Sequence, residues 1–205
     1  MIKNIIFDWS GVISDSIERH LIVVNKMFNS FGVRSISIEE LKENWEQPYM
    51  RFYTKYLPNI KLEDEQIAYT KAMLESGKCD PYSGIVELIK KIKGNGKKLV
   101  VISSDVTETL LSEVRAFGLD QIFLEIVSDA HDKTNDLLKI IHRENFNLEE
   151  TVFIGDSNHE IEEGKKAGIK TIAVTWGYSP KEKLVALKPD FLVDTIEELE
   201  KYLLN

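Results

Sequence analysis

Residues 151–175 read TVFIGDSNHEIEEGKKAGIKTIAVT. TVFIGD (151–156) has the form of a buried strand running into a turn, and TIAVT (171–175) is a second strand. Between them the apolar spacing predicts a helix over 159–167, stopped at Gly168. Strand, helix and strand in so short a span imply a βαβ unit and therefore a parallel sheet. Asp156 follows the first of these strands through Gly155, so a carboxylate stands at a strand's carboxyl end.

The same alternation extends outward. NIIF (4–7) is a short buried strand, and KLVVIS (98–103) is another, preceded by a helix over 84–93 and the turn KGNGKK. A helix at 107–117 closes at Gly118, and a strand around 122–127 leads to a helix near 134–144. FLV (191–193) is the last strand and 195–203 the last helix. The fold class is α/β, with helices covering a parallel sheet. Residues 15–80 break the pattern and read as helices only: 16–32, a second opened by a Ser37/Glu40 capping box, and a third over 63–76. The expected domains are therefore a core of 1–14 with 82–205, and a helical insert, 15–81, that looks like a lid.

Composition narrows the function. The 205 residues carry 29% charged and 43% hydrophobic side chains, as ordinary globular proteins do. A net charge of −8 argues against nucleic acid, whose backbone favours a basic face. The lone Cys79 cannot form an internal disulfide, which fits a reducing compartment. The N-terminal apolar run is too short for a signal peptide, and no segment is apolar for the ~18 residues of a membrane span. The expected location is the cytoplasm, with no membrane partner. Oligomeric state is not legible.

Open parallel sheets bind ligands at the carboxyl ends of their strands. Asp8 ends the first strand, Ser103 and Ser104 end the second, and Asp156 ends the TVFIG strand; Lys133 lies where the 134–144 helix begins. Hard carboxylate oxygens suit Mg²⁺, while an ammonium and a hydroxyl suit phosphoryl oxygens. An aspartate can also attack phosphorus. These residues make a coherent phosphoryl-transfer site.

The stretches IIFDWSGVISDS, LVVISSD, DAHDKTNDLLKII and VFIGDSNHEIEEGKKAGIKTIAV resemble the haloacid dehalogenase superfamily over nearly the whole chain. The resemblance implies a Rossmann-like core and a small helical cap. It implies Asp8 as nucleophile, Ser103 as phosphate-binding hydroxyl, with Ser104 beside it, and Lys133 as the ammonium that steadies nucleophile and phosphoryl group. It further implies Asp8, Asp156 and the carbonyl of Ser10 as magnesium ligands, and Glu160 in the place of the second acid. The implied activity is an Mg²⁺-dependent phosphatase acting on a small phosphorylated metabolite through an aspartyl-phosphate.

Several positions depart from the family pattern. Phosphatases of the family commonly carry a second aspartate at the position of Ser10, which protonates the leaving oxygen and then activates water. A serine hydroxyl does neither well, and losing such a group costs ~10²–10⁴-fold. Val12 replaces a common threonine, Glu160 an aspartate, and Lys133-Thr134 the usual Lys-Pro pair. Three readings of Ser10 follow. One is a slower phosphatase. Another is carbon–phosphorus cleavage like that of phosphonoacetaldehyde hydrolase, whose DWAG motif DWSG resembles, with Lys42 or Lys55 as an imine-forming lysine. The third is a phosphate-binding protein without turnover. The retained Asp8, Lys133 and Asp156 favour the first.

Each residue also has a plainer role open to it. Asp8 could cap a turn, Asp156 could cap a helix, Lys133 could be a solvated charge, and Glu160 could be a first-turn acid favoured by the helix dipole. GNGKK lacks the phosphate-loop pattern. His20, His131, His142 and His159 lack metal-site spacing. The aromatics Trp45, Tyr49, Phe52, Tyr53 and Tyr56 either fill the insert's core or line a pocket.

Overall fold

The computed structural model describes residues 1–130 and 132–204. Its contacts divide the chain into two units, Met1–Asp15 with Asp80–Asn205, and Ser16–Cys79.

The first unit is built on six parallel strands: β1 (Asn4–Phe7), β2 (Lys98–Ile102), β3 (Glu125–Val127), β4 (Thr151–Gly155), β5 (Lys170–Val174) and β6 (Phe191–Val193). Their order is β3-β2-β1-β4-β5-β6. All of β1 is buried, because it pairs with β2 on one side and β4 on the other. Side chains alternate across the sheet. Ile5, Phe7, Val101 and Ile154 face one layer, formed by α5 (Ile85–Gly94), α6 (Thr107–Ala116) and α10 (Ile196–Leu204). Ile6, Val100, Ile102 and Phe153 face α7 (Lys133–Arg143), while Ala173 packs with Ile161 of α8 (Asn158–Lys166) and Leu184 of α9 (Lys181–Ala186). The chain leaves β1 toward β3 and returns to β4 on the other side of β1. That reversal places the switch point, where such sheets bind ligands, at the carboxyl ends of β1 and β4.

The sequence expectations meet two corrections in this unit. Helix α9 was not anticipated. Only Glu125–Val127 of the expected 122–127 strand pairs with β2, while Ile122 and Phe123 pack onto the core ahead of it.

The second unit holds α1 (Ile17–Ser30), α2 (Ile38–Asn44), α3 (Met50–Tyr56) and α4 (Leu62–Leu74). Val24, Met27, Phe28, Leu41, Phe52 and Tyr53 form its core, with Trp45, Tyr49 and Tyr56 packed against them. The aromatic stretch thus fills this unit's interior, and Phe28 stacks on Phe52 at 6.0 Å. Helix α3 is a further addition to the expected elements. The Ser37 hydroxyl caps α2 by accepting from the Glu40 N–H, but the Glu40 carboxylate pairs with Arg34, so only half of the expected capping box forms. No helix among the described residues is long and apolar enough to cross a membrane.

Candidate active site

Asp8 follows β1 and its N–H donates to the Ile154 carbonyl at 2.9 Å, which locks the start of the loop onto β4. The Trp9 carbonyl then accepts from the N–H groups of Val12, Ile13 and Ser14, turning the chain sharply. The turn runs through Gly11, whose φ of +81° suits glycine. A Cβ on Gly11 would also meet Asp156 Oδ2 at 2.2 Å, as would one on Gly177. The two glycines and the Tyr178 N–H, which donates to Asp156 Oδ2 at 2.6 Å, form a close cradle for that carboxylate.

Asp8, Asp156 and Glu160 are all buried, and ligand oxygens from the three lie within 4.8 Å of one another. They form the one such metal-competent group found among the described residues. Lys133 enters from the first residue of α7. Its Nζ donates to Asp8 Oδ1 at 2.9 Å and to Glu160 Oε1 at 2.8 Å. Thr134 is anchored beside it: its N–H donates to Glu163 Oε2 at 2.9 Å, and its hydroxyl donates to the same oxygen. An N–H that the usual proline lacks thereby ties the start of α7 to α8.

Glu160 has two occupations. Its Oε2 accepts from the Ser157 N–H and hydroxyl, completing the capping box that opens α8, while Oε1 holds Lys133. The helix-cap role and the site role are therefore both met by one side chain.

The charges are unbalanced, with three buried carboxylates facing one ammonium. Burial pushes the Asp8 carboxyl up to about 7, against the attraction of Lys133 and with the repulsion of Glu160. Burial, then the Glu160 and Asp8 charges, hold Asp156 well above the usual carboxylate range. Glu160 is also penalised by burial, but the Lys133 charge, His159 and its hydrogen bonds outweigh that and lower it to about 2. Burial opposes the Lys133 ammonium too, yet the Asp8 and Glu160 charges raise its pKa above the ordinary lysine value.

The other expected site residues are placed as follows. Ser103 is buried at the end of β2, and its hydroxyl donates to Asp105 Oδ2 at 3.0 Å. The Ser10 hydroxyl donates to the same oxygen at 2.7 Å. Ser104 turns instead to the Ala130 carbonyl at 2.8 Å and braces the loop after β3. His159 Nδ1 lies 4.0 Å from Glu163. His20 is buried against Trp45 within the helical unit, His142 is exposed on α7, and His131 lies outside the described residues. Asp105, Gly177 and Tyr178 were not anticipated. The sole sequence signal for Asp105 is its place in the polar run SSD directly after a buried strand.

A family model described as haloacid dehalogenase-like hydrolase matches residues 5–174. The chain belongs to the haloacid dehalogenase-like hydrolases. A pyrophosphatase PpaX from Listeria monocytogenes is 30% identical to this hydrolase over 153 residues, covering 72% of this chain and 64% of that protein. The match therefore spans under two thirds of that relative's length. A phosphoglycolate phosphatase from Synechococcus elongatus is 23% identical over 205 residues, covering 96% and 95%. Among solved structures, a haloacid dehalogenase-like family hydrolase from Streptococcus pneumoniae superposes with a TM-score of 0.85 at 18% identity, covering 98% of each chain. That likeness concerns the fold.

Proposed function

We propose that this hydrolase is an Mg²⁺-dependent phosphatase that acts on a small phosphorylated metabolite through an aspartyl-phosphate on Asp8. The observation that carries the reading is the Asp8–Lys133–Glu160 bridge standing beside Asp156 in a buried, oxygen-only cluster. The donor set fits a hard divalent cation: its oxygens suit Mg²⁺, and its excess negative charge calls for positive charge. Asp8, Asp156, Glu160 and the Ser10 carbonyl are the residues that would hold the ion, and the ion when bound would neutralise phosphoryl oxygens. Asp8 is the nucleophile. Lys133 restrains the Asp8 carboxylate and offers its ammonium to the charge that develops on phosphorus oxygens. The Ser103 hydroxyl is assigned to the phosphoryl group, whereas Ser104, expected beside it, donates its hydroxyl to the Ala130 carbonyl and is given no phosphoryl contact. The helical unit Ser16–Cys79 is assigned the role of a cap that selects substrate. The lone buried Cys79 fits a cytoplasmic enzyme.

The relatives' names make pyrophosphate and phosphoglycolate the first substrates to assay. Of the two candidate imine-forming lysines, Lys42 and Lys55, Lys55 finds less support, because its ammonium is taken by Glu46 at 2.6 Å and the Asn44 carbonyl at 3.0 Å. A panel of phosphorylated metabolites with Mg²⁺, including phosphonoacetaldehyde with borohydride trapping, tests the reading. Asp8→Asn should abolish turnover of an aryl phosphate, whose good leaving group needs no acid. A mutant as active as its parent refutes the nucleophile assignment. Binding of phosphate without turnover by the parent would instead support the ligand-binding alternative.

A further inference from the structure

Two hydroxyls from distant parts of the chain converge on one carboxylate. Ser10, in the loop after β1, and Ser103, at the end of β2, both donate to Asp105 Oδ2, at 2.7 and 3.0 Å. The acceptor is fixed in place. The Asp105 N–H donates back to Ser103 Oγ at 3.1 Å, and its carbonyl accepts from the Asp129 N–H at 3.0 Å. Asp105 is half-buried, as is Ser10. A short bond to a carboxylate acceptor orients the Ser10 proton and makes the hydroxyl oxygen a better acceptor in turn.

We propose that Asp105 restores, through Ser10, the proton-accepting function that a serine alone lacks at this position. The proposal rests on the phosphatase reading above. In the hydrolysis of the aspartyl-phosphate, a water oxygen bonds to phosphorus as the bond from phosphorus to the Asp8 oxygen breaks. One water proton passes to Ser10 Oγ while the Ser10 proton passes to Asp105 Oδ2. The other stays on the released phosphate, and Asp105 gives its proton to solvent before the next cycle. Asp105 is a positioning residue, since it acts through Ser10. The first step receives no such help in this arrangement, so substrates with good leaving groups, phosphoanhydrides and aryl phosphates, are favoured over alkyl phosphates.

The test separates the two steps. Asp105→Asn keeps an oxygen that can accept from Ser10 but takes up no proton. With an aryl phosphate in a rapid-mixing assay, the burst of released phenol should persist in Asp105→Asn while steady turnover falls about 10²-fold or more. Phosphorylated Asp8 should accumulate, visible as a phosphoryl adduct by mass spectrometry. Ser10→Ala should do the same, and the double variant should be no slower than the worse single one. Ser10→Asp should make Asp105 dispensable, so that Ser10→Asp/Asp105→Asn turns over like Ser10→Asp. Equal loss of burst and turnover in Asp105→Asn makes the residue merely structural and overturns the proposal, as does a phosphoenzyme discharged at the parent's rate. A parent that turns over none of the substrates, with no adduct in either the parent or Asp105→Asn, overturns the phosphatase reading, and this role with it.

Discussion

Replacing Lys133 with methionine tests the electrostatics of the site independently of catalysis. The Lys133 Nζ lies 2.9 Å from Asp8 Oδ1 and 2.8 Å from Glu160 Oε1, and all three side chains are buried. At an effective dielectric of about 20, each contact corresponds to roughly 6 kcal/mol of attraction, much of it offset by the desolvation of the ions. The substitution removes the attraction and leaves two desolvated carboxylates without their counter-ion. Breaking a buried pair this way costs about 3–5 kcal/mol, or roughly 10 °C in a chain of this size. The cost depends on pH. Without the ammonium, Asp8 and Glu160 bind protons more tightly folded than unfolded, so stability present below the usual carboxylate range is lost as pH rises. In the parent, Glu160 is held at about 2, so its contribution is present above the usual range and is lost as pH falls. Urea denaturation in EDTA should therefore show a large deficit for Lys133→Met near pH 8 and a smaller one near pH 5. A mutant within ~1 kcal/mol of the parent at pH 8, or a deficit equal at both pH values, refutes the reasoning.

Two further outcomes follow from geometry and burial. A Cβ on Gly177 would lie 2.2 Å from Asp156 Oδ2 and 2.3 Å from Asp156 Cβ, so Gly177→Ala must displace that carboxylate. Turnover should fall on the order of 10²-fold, and the Mg²⁺-induced rise in melting temperature should shrink; an unchanged Mg²⁺ response refutes the cradle. Glu65, buried in α4, is pushed up to about 7 by burial, so it costs stability once the pH exceeds the ordinary carboxylate range. Glu65→Gln should stabilise the protein by about 2–3 kcal/mol at pH 8 and little at pH 4, as read by urea denaturation at the two pH values.

The site was legible where it sits on strand ends. Buried strands announce themselves by apolar runs, and the residue that follows each is fixed in space by the sheet. Asp8, Ser103 and Asp156 could therefore be located from the string, as could Lys133 at a helix start. The missed pieces have physical reasons. Helices α3 and α9 span seven and six residues, too few turns for an amphipathic period to register. The stretch 122–127 looks like one strand, yet Ile122 and Phe123 are partly buried as loop packing before the chain enters β3 and pairs with β2. Asp105 meets a hydroxyl 95 residues away, and Gly177 meets the Asp156 carboxylate that follows the neighbouring strand. Such pairings depend on register, which single-sequence periodicity does not encode.

The charge imbalance also bears on whether this chain could serve as a phosphate binder without chemistry. A phosphate brought near Asp8 faces three buried carboxyl groups, two of them shifted toward the protonated form, and one ammonium already held between two of the three. With the Lys133 ammonium already held by its two carboxyl partners, these groups offer a phosphate no net positive charge, so even the binding reading calls for a cation in the cluster. Once that cation is granted, the binding and catalytic readings share every residue except in the use of Asp8. The discriminating experiment is thus narrow. Phosphate affinity in Mg²⁺ should survive Asp8→Asn under the binding reading. The catalytic reading requires that the substitution end turnover and covalent labelling together, whatever it does to affinity. Labelling that persists on another residue would remove the nucleophile from the position the sheet gives it.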